Sequence, residues 1–343
     1  MTQRHYLDFN ATTPLGMPAR DAMVAAMQVT GNPSSVHAEG RAAKALIEKA
    51  RTSIAEGLGC KPHEIVFTSG ATEAARVMEL WNGPVVVAPT AHDALWAHHR
   101  PQAQGEPLFA QGLANSETGI LTPPRARADG GATLVDLTQA VGRIAVAFGW
   151  MDVDLGIVSA HKFGGPKGIG ALIVREGFDI NALSKGGGQE MGRRAGTENV
   201  AGIAGFAAAL QEAGAQVNQP AQDAIAGLRD KLESGISAGA PDAIIVGRGD
   251  KRLPNTSCIV TPGWKGETQV MQMDLAGFAI SSGSACSSGK VKASRVLQAM
   301  GFDHADASCA IRVSIGPQTT AVVIDSFVAA WSAAYSRFRA RAA

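Results

Sequence analysis

Short apolar runs, bounded by glycine or proline, alternate with stretches of helical spacing along the first 240 residues. "EIVFT" (Glu64–Thr68), "PVVVA", "ATLVD", "LGIVSA" and "GALIVR" are Val/Ile-rich and lack polar alternation. That is the pattern of parallel strands buried on both faces. The first run breaks at "SGATEAAR", where a Ser-Gly turn opens a helix. "AEGRAAKALIEKARTSIAEGLG" places Ala42, Leu46, Ala50 and Ile54 at helical spacing, and "NVAGIAGFAAALQEAG" is a second, Ala-rich helix. From about Ala240 the pattern becomes strand–helix–strand–helix: "AIIVG", "TSCIVTP", a helix over 265–274, "GFAISS", a helix over 293–300 and "AIRVSIG". A final helix follows through "TAVVIDSFVAAWSAAYSRF". The alternation predicts an α/β protein, with a large, mostly parallel domain over 21–239 and a small α+β domain over 240–343. Residues 1–20 are expected to return and pack on the small domain.

Composition narrows the class. With 45% hydrophobic and 18% charged residues and a net charge of +1, nothing points to nucleic acid or an anionic membrane. Forty glycines and 5% aromatics suit many tight strand-to-helix turns. The start, "MTQRHYLDFN", lacks the apolar core of a signal peptide, and no apolar run is long enough to span a bilayer. A cytoplasmic location is expected. Cys60, Cys258, Cys286 and Cys309 are far apart with no C-x-x-C spacing, against a zinc site and against a disulfide framework.

Cys286 stands out among them. It lies in "SSGSACSSGK", on neither an apolar strand nor a helix face, where a buried cysteine would be expected. The segment leaves open a chance cysteine in a turn and a thiol kept accessible for chemistry. "SAHKFGGPKGIGALIV" contains a G-x-x-G-x-G at Gly165, Gly168 and Gly170. Those glycines lead into a strand rather than a helix, which argues against a dinucleotide fingerprint. Lys162 follows a strand end there, either as a solvated lysine or as one able to form a Schiff base with an aldehyde cofactor.

Pyridoxal phosphate (PLP) would require an acid for its pyridine nitrogen, a phosphate cup and a group against its ring. Asp136 ends the "ATLVD" run, with Gln139 three residues on. A carboxylate at a buried strand end calls for a cation such as a pyridinium, or else simply begins a turn. "FTSGATEAA" offers a glycine turn, hydroxyls at Ser69 and Thr72 and helix-start N–H groups, suited to a phosphate or to ordinary capping. His92, in "APTAHDALW", follows a strand and can stack on a ring or sit at the surface, as His98 and His99 are expected to do.

In order along nearly the whole chain run "YLDFNATTP", "GNPSSVHAEGR", "EIVFTSGATE", "ANSETG", "LVDLTQAVG", "SAHKFGGPKGIGAL", "GGGQEMGRRAGTENVAG", "LPNTSCIV", "SSGSACSSG" and "IRVSIG". In these segments the sequence resembles the cysteine desulfurases, PLP-dependent enzymes of the class V aminotransferase group. The resemblance implies PLP fold type I, with a seven-stranded-type sheet flanked by helices. It implies conversion of L-cysteine to L-alanine with a persulfide left on Cys286, in a homodimer that passes sulfur to an iron–sulfur scaffold or another thiolation acceptor. It makes Lys162 the Schiff-base lysine, Asp136 the partner of the pyridine nitrogen and Gln139 that of the phenolic oxygen. His92 would stack on the ring and shuttle protons. Ala71, Thr72, Ser159 and His161 would hold the phosphate, with Thr197 supplied by the other subunit. Arg312 would grip the substrate carboxylate, with Asn32 and Ser116 as neighbours, and no metal is implied.

The chain departs from that family in three places. The stretch from His92 to Asn115 is shorter, Ser116 stands where the family shows a second asparagine, and the C-terminus lacks the tail that housekeeping members use with a scaffold. Alternatives stay in view: selenocysteine lyase or another class V PLP enzyme such as an aminotransferase, the last opposed by Cys286 on its Gly/Ser loop, and a low-activity interaction protein on the same fold, to which the shortened stretch and Ser116 lend weight.

Overall fold

A computed structural model describes residues 4–127, 131–217, 220–283 and 293–342. The chain divides into two compact units. A central unit comprises Thr12–Ala114 and Thr122–Asn218, and a C-terminal unit comprises Met1–Ala11, Asn115–Leu121 and Gln219–Ala343. In chain order, β1 (His5–Tyr6) belongs to the C-terminal unit. The central unit then runs through α1 (Met17–Met27), α2 (Ala38–Leu58), β2 (Ile65–Thr68), α3 (Ala71–Ala74), β3 (Val85–Val87), α4 (Asp93–Trp96) and β4 (Leu108–Gly112). It continues with β5 (Ala132–Asp136), β6 (Leu155–Ser159), β7 (Gly170–Val174) and α5 (Val200–Val217).

Its sheet has the order β2-β7-β6-β5-β4-β3. Strands β3 to β6 are parallel, and β7 runs antiparallel to both β6 and β2. Neighbouring residues alternate between two cores. Ile65, Phe67, Val135, Val158, Ala171 and Ile173 pack on the side of α2 and α5, while Val66, Leu134, Ile157, Leu172 and Val174 pack on the side of α3. Two apolar faces on β2, β5, β6 and β7 explain why these runs carry no polar alternation.

The sheet differs from the seven-stranded expectation: it has six strands among the described residues. A crossover between parallel strands takes about a dozen residues or more. Residues 88–107 therefore hold one connection between β3 and β4, with no room for another strand. The edge this leaves on β3 is covered locally. Val85 and Arg100 exchange backbone hydrogen bonds of 3.2 and 2.9 Å, and Val87 N–H donates to His99 Nδ1 at 3.1 Å. His99 stacks on Trp96 with ring centroids 4.5 Å apart. Thus His99 is not a free surface histidine but part of the cover that an exposed strand edge requires.

A second correction concerns α2. Its buried stripe is Ala43, Ile47, Ala50, Ile54 and Leu58, and Ala42 is exposed. A strict four-residue spacing drifts around a helix of 3.6 residues per turn, whereas mixed steps of three and four stay on one face.

The C-terminal unit continues with α6 (Pro220–Gly239), β8 (Ile244–Ile245), β9 (Thr256–Val260), α7 (Gly266–Leu275), β10 (Phe278–Ala279) and β11 (Ser281–Ser282). After these come α8 (Arg295–Ala299), α9 (His304–Ala307), β12 (Ala310–Ser314) and α10 (Ala321–Ala342). An antiparallel sheet of order β11-β12-β9-β8 carries α6 and α10 on one face, through Ile225, Leu232, Ile236, Phe327 and Trp331. On the other face Cys258, Val260 and Cys309 pack with Leu297. Helix α6 belongs here because its apolar stripe is buried against α10, so this unit starts near residue 219, ahead of 240. β1 pairs in parallel with β10. Among the described residues, no helix is long and apolar enough to cross a membrane.

Candidate active site

In the central unit, the chemistry-bearing residues leave the same edge of the sheet. β2 runs with β6, since each is antiparallel to β7. The segments after β2, β3, β5 and β6 therefore emerge together, carrying Ser69–Thr72, His92, Asp136–Gln139 and Ser159–Lys162. The carboxyl ends of parallel strands are where open α/β sheets bind ligands.

Ala71 N–H donates to Ser159 Oγ at 2.7 Å, joining the turn after β2 to the end of β6. Gly70 has φ +154°, and a Cβ there would lie 3.2 Å from Ser159 Oγ. Gly170 is more constrained, since its Cβ would come within 2.4 Å of the Val158 carbonyl and 2.7 Å of Gly70 Cα. The absence of side chains lets three backbone segments meet at this cup. α3 is a single turn continued by a 3-10 turn over Ala75–Val77. Its dipole is correspondingly small, so an anion here would depend on N–H groups, hydroxyls and neighbouring cations.

Those cations surround His161. Burial, then Lys162, Lys167 and Arg143, push His161 down from 6.5 to about 4. His161 Nδ1 lies 3.2 Å from Thr12 Oγ1, and Thr13 Oγ1 donates to the Lys162 carbonyl at 2.8 Å. An unfolded chain takes up the His161 proton near pH 6.5, the folded one near 4. Its stability is therefore complete above about 6.5 and is lost as pH falls toward 4. An anion in the cup opposes this. We expect the cofactor-free melting temperature to fall more steeply over that window than the loaded one, with His161→Gln removing the difference. Parallel Tm-versus-pH curves for the two forms would contradict it.

Asp136 ends β5 half-buried, its Oδ1 accepting the Thr138 N–H at 2.9 Å. The carboxylate thus does begin a turn, and it does so at the strand end where a cofactor would lie. Gln139 is buried at 5% exposure. His92 caps α4, with Nδ1 accepting from Ala94 N–H at 3.1 Å. That bond leaves the proton of the neutral ring on Nε2.

Arg143 was not singled out by the sequence. Buried at 7% exposure, it donates from Nη1 to the Gln139 carbonyl at 2.9 Å and from Nη2 to the Lys162 carbonyl at 3.0 Å. One guanidinium ties the β5 turn to the β6 turn, its planar fork presenting a separate nitrogen to each carbonyl. Arg143→Met is expected to weaken cofactor retention at least about tenfold, read by equilibrium titration. Unchanged retention would show the two turns hold themselves.

Thr197 is exposed, in a segment anchored by the Arg194–Glu73 ion pair at 3.0 Å. Upstream, Glu190 and Met191 adopt left-handed φ of 47° and 57°. They are held there because the buried Glu190 carboxylate meets Arg51 at 2.7 Å and Phe67 N–H at 2.8 Å. Asn32 is exposed, and its Oδ1 accepts the Ser34 N–H at 2.9 Å, so it shapes the turn before α2. Among the described residues, its hydrogen bonds stay within that turn.

Arg312 and Ser116 meet in the C-terminal unit. Arg312, 5% exposed on β12, donates from Nη1 to the Ser116 carbonyl at 3.0 Å and from Nη2 to Asp8 Oδ1 at 2.7 Å. Its Nε is buried with no partner among the described residues. Cys286 lies outside the described residues. Of the other cysteines, Cys60 is pushed up to about 12, mainly by burial. Burial also pushes Cys258 up, and Cys309 is buried with its thiol on the Ala305 carbonyl at 3.2 Å.

A family model for the class-V aminotransferases matches residues 5–83 and 109–327. A cysteine desulfurase of Cereibacter sphaeroides is 37% identical, covering 94% of this chain and 93% of that one. The chain belongs to the cysteine desulfurases of the class-V aminotransferase family. An IscS-like cysteine desulfurase of Mycobacterium tuberculosis is 33% identical over 97% of each chain. The solved NifS-like protein from Rickettsia africae superposes with a TM-score of 0.88 at 30% identity, over 97% of this chain and all of that one. The family match omits residues 84–108, which span β3, α4 and the start of β4.

PLP is the cofactor of this family. The central unit fits it on its own geometry. The side-chain-free cup at Gly70 and the cations crowding His161 suit a phosphate, and Asp136 at the end of β5 suits a pyridinium.

Proposed function

We propose that the chain converts L-cysteine to L-alanine and leaves the sulfur as a persulfide on Cys286. The observation that carries this reading is the gathering of the Ala71–Ser159 cup, Asp136 and Lys162 at one sheet edge, held by Arg143.

Bound PLP supplies an aldehyde that takes up the substrate amine and a ring that draws electrons from its α-carbon. Ala71 N–H, Thr72, Ser159 and His161 hold the phosphate, joined by Thr197 of a second copy. Asp136 keeps a proton on the ring nitrogen, while Gln139 binds the phenolic oxygen. Arg312, whose buried Nε has no partner among the described residues, takes the substrate carboxylate, with Asn32 and Ser116 as further candidates for that role. Lys162 Nζ removes the α-proton, and His92, with its proton on Nε2, stacks on the ring and relays protons. The Cys286 thiolate then attacks the substrate sulfur. An S–S bond forms as C–S breaks, the electron pair goes to carbon, and protonation gives alanine. The three described cysteines are buried or hold their protons, which supports a fourth as acceptor.

Free thiols suit a reducing cytoplasm, and the persulfide suits delivery to a scaffold for iron–sulfur clusters or another thiolation acceptor. The test is product analysis of the PLP-loaded protein with L-cysteine and a reductant, where alanine and sulfide should appear in equal amounts. Pyruvate exchange without sulfide would instead indicate an aminotransferase. Alanine from selenocysteine alone would indicate a lyase.

A further inference from the structure

Glu73 follows Thr72 in the turn that forms the cup, and its carboxylate closes back over that turn. Oε2 accepts the Ser69 N–H at 2.6 Å, so the side chain spans Gly70 like a clasp. Arg194 meets the same carboxylate, from Nε to Oε1 at 3.0 Å and from Nη2 to Oε2 at 3.4 Å. Both side chains are mostly buried. Burial raises the Glu73 carboxyl, but the bonds from Arg194 and Ser69 outweigh it and hold the group below its ordinary range. Glu73 is therefore ionised at neutral pH, beside a cup suited to a dianion. That pairing is unfavourable unless a cation answers it. Arg194 can answer it because its backbone is held from both sides. It forms a parallel bridge with Ser184, whose Oγ accepts the Ala195 N–H at 3.0 Å. Arg193 N–H donates to the carbonyl of Glu190 at 3.0 Å, and Arg51 anchors Glu190 in turn.

We propose, on the reading of Ser69–Thr72 as the phosphate cup, that Glu73 and Arg194 are positioning residues for it. Glu73 fixes the shape of the Gly70 turn, and Arg194 cancels the charge this introduces. The two roles separate chemically. Shape needs an acceptor for the Ser69 N–H, which a glutamine oxygen also provides. Charge cancellation matters only while residue 73 is ionised, so the need for it disappears when glutamine stands there. Both roles act on the phosphate, so pyridoxal, which has the ring and aldehyde without it, serves as the control. A pair that merely held the fold together would affect both ligands alike.

The experiment titrates the cofactor-free, full-length protein with PLP and with pyridoxal, and follows amide hydrogen exchange at Ser69. Arg194→Met should weaken PLP binding about tenfold or more while pyridoxal stays within about twofold. Glu73→Gln should hold PLP within about threefold. Glu73→Gln combined with Arg194→Met should recover most of the Arg194→Met loss, because no carboxylate remains to oppose the phosphate. Glu73→Ala should weaken PLP about tenfold and speed exchange at Ser69, since that N–H loses a charged acceptor. Should Arg194→Met not fold, Arg194→Gln, which keeps donors but not charge, should show the same selective loss of PLP. Three results overturn the assignment: Arg194→Met binding PLP normally, pyridoxal weakened in step with PLP, or a double variant no better than Arg194→Met. Unchanged exchange at Ser69 in Glu73→Ala defeats the clasp. A wild-type protein that binds pyridoxal as tightly as PLP would refute the cup itself, and with it the role of both residues.

Discussion

Lys162→Ala is expected to abolish alanine formation while leaving the fold and the phosphate contacts in place. The reason lies in how Lys162 is held. Its carbonyl accepts from Thr13 Oγ1 at 2.8 Å and from Arg143 Nη2 at 3.0 Å. The loop is thus fixed through its backbone, and truncating the side chain removes Nζ without releasing the turn. Loss of a positioned proton-transfer group costs about 10²–10⁴-fold, and loss of the covalent attachment adds to that. The variant should still bind PLP through the Ala71–Ser159 cup, with a changed absorption spectrum. Borohydride reduction of the wild type, followed by peptide mapping, should place the cofactor on Lys162. Label on Lys167 or Lys185, or an alanine variant that turns over at more than about one-hundredth of the wild-type rate, would remove Lys162 from its role.

The strands around this site were legible because each buries two apolar faces. "EIVFT", "ATLVD", "LGIVSA" and "GALIVR" are continuous apolar runs, and they became β2, β5, β6 and β7. β4 was not legible: in Leu108–Gly112 the polar Gln111 and Gly112 dilute the signal, and three of its five residues are only partly buried. Among the candidate site residues, Asp136 and Lys162 could be singled out beside strand ends, while Ser159 came only with the family resemblance. Arg143 and Asp8 could not, because their importance lies in two-ended hydrogen bonds between segments far apart in sequence. Arg143 spans four residues to Gln139 and nineteen to Lys162, and Asp8 spans 304 to Arg312. The lost seventh strand had a visible cause in the shortened stretch after His92. What the sequence hid was its consequence, an edge on β3 closed by Arg100 and His99.

Cys286→Ser should retain PLP and still respond spectroscopically to L-cysteine, yet fail to release alanine and sulfide at the normal rate. Only a thiolate attacks the substrate sulfur, and a serine hydroxyl cannot accept it as a persulfide. The other cysteines are poorly suited to substitute. A thiol held near pKa 12, as Cys60 is by burial, is ionised in roughly one molecule in 10⁴ near pH 8. Cys258 is fully enclosed on β9, and burial pushes its thiol up as well. Cys309 starts the turn into β12 with its thiol on the Ala305 carbonyl. Serine at Cys60 or Cys309 should therefore leave sulfur transfer intact, while at Cys258, in the core, it should lower stability by about 1–3 kcal/mol without moving the sulfur. The deciding measurement is mass spectrometry after brief exposure to L-cysteine, searching for one added sulfur on the peptide that contains Cys286. Added sulfur on another cysteine, or normal turnover by Cys286→Ser, would assign the acceptor elsewhere. The same enzyme offers an internal control, because Arg312, Asp8 and Ser116 are untouched by the substitution. KM for L-cysteine should stay within about twofold while kcat collapses, the pattern of a group that acts after substrate is bound.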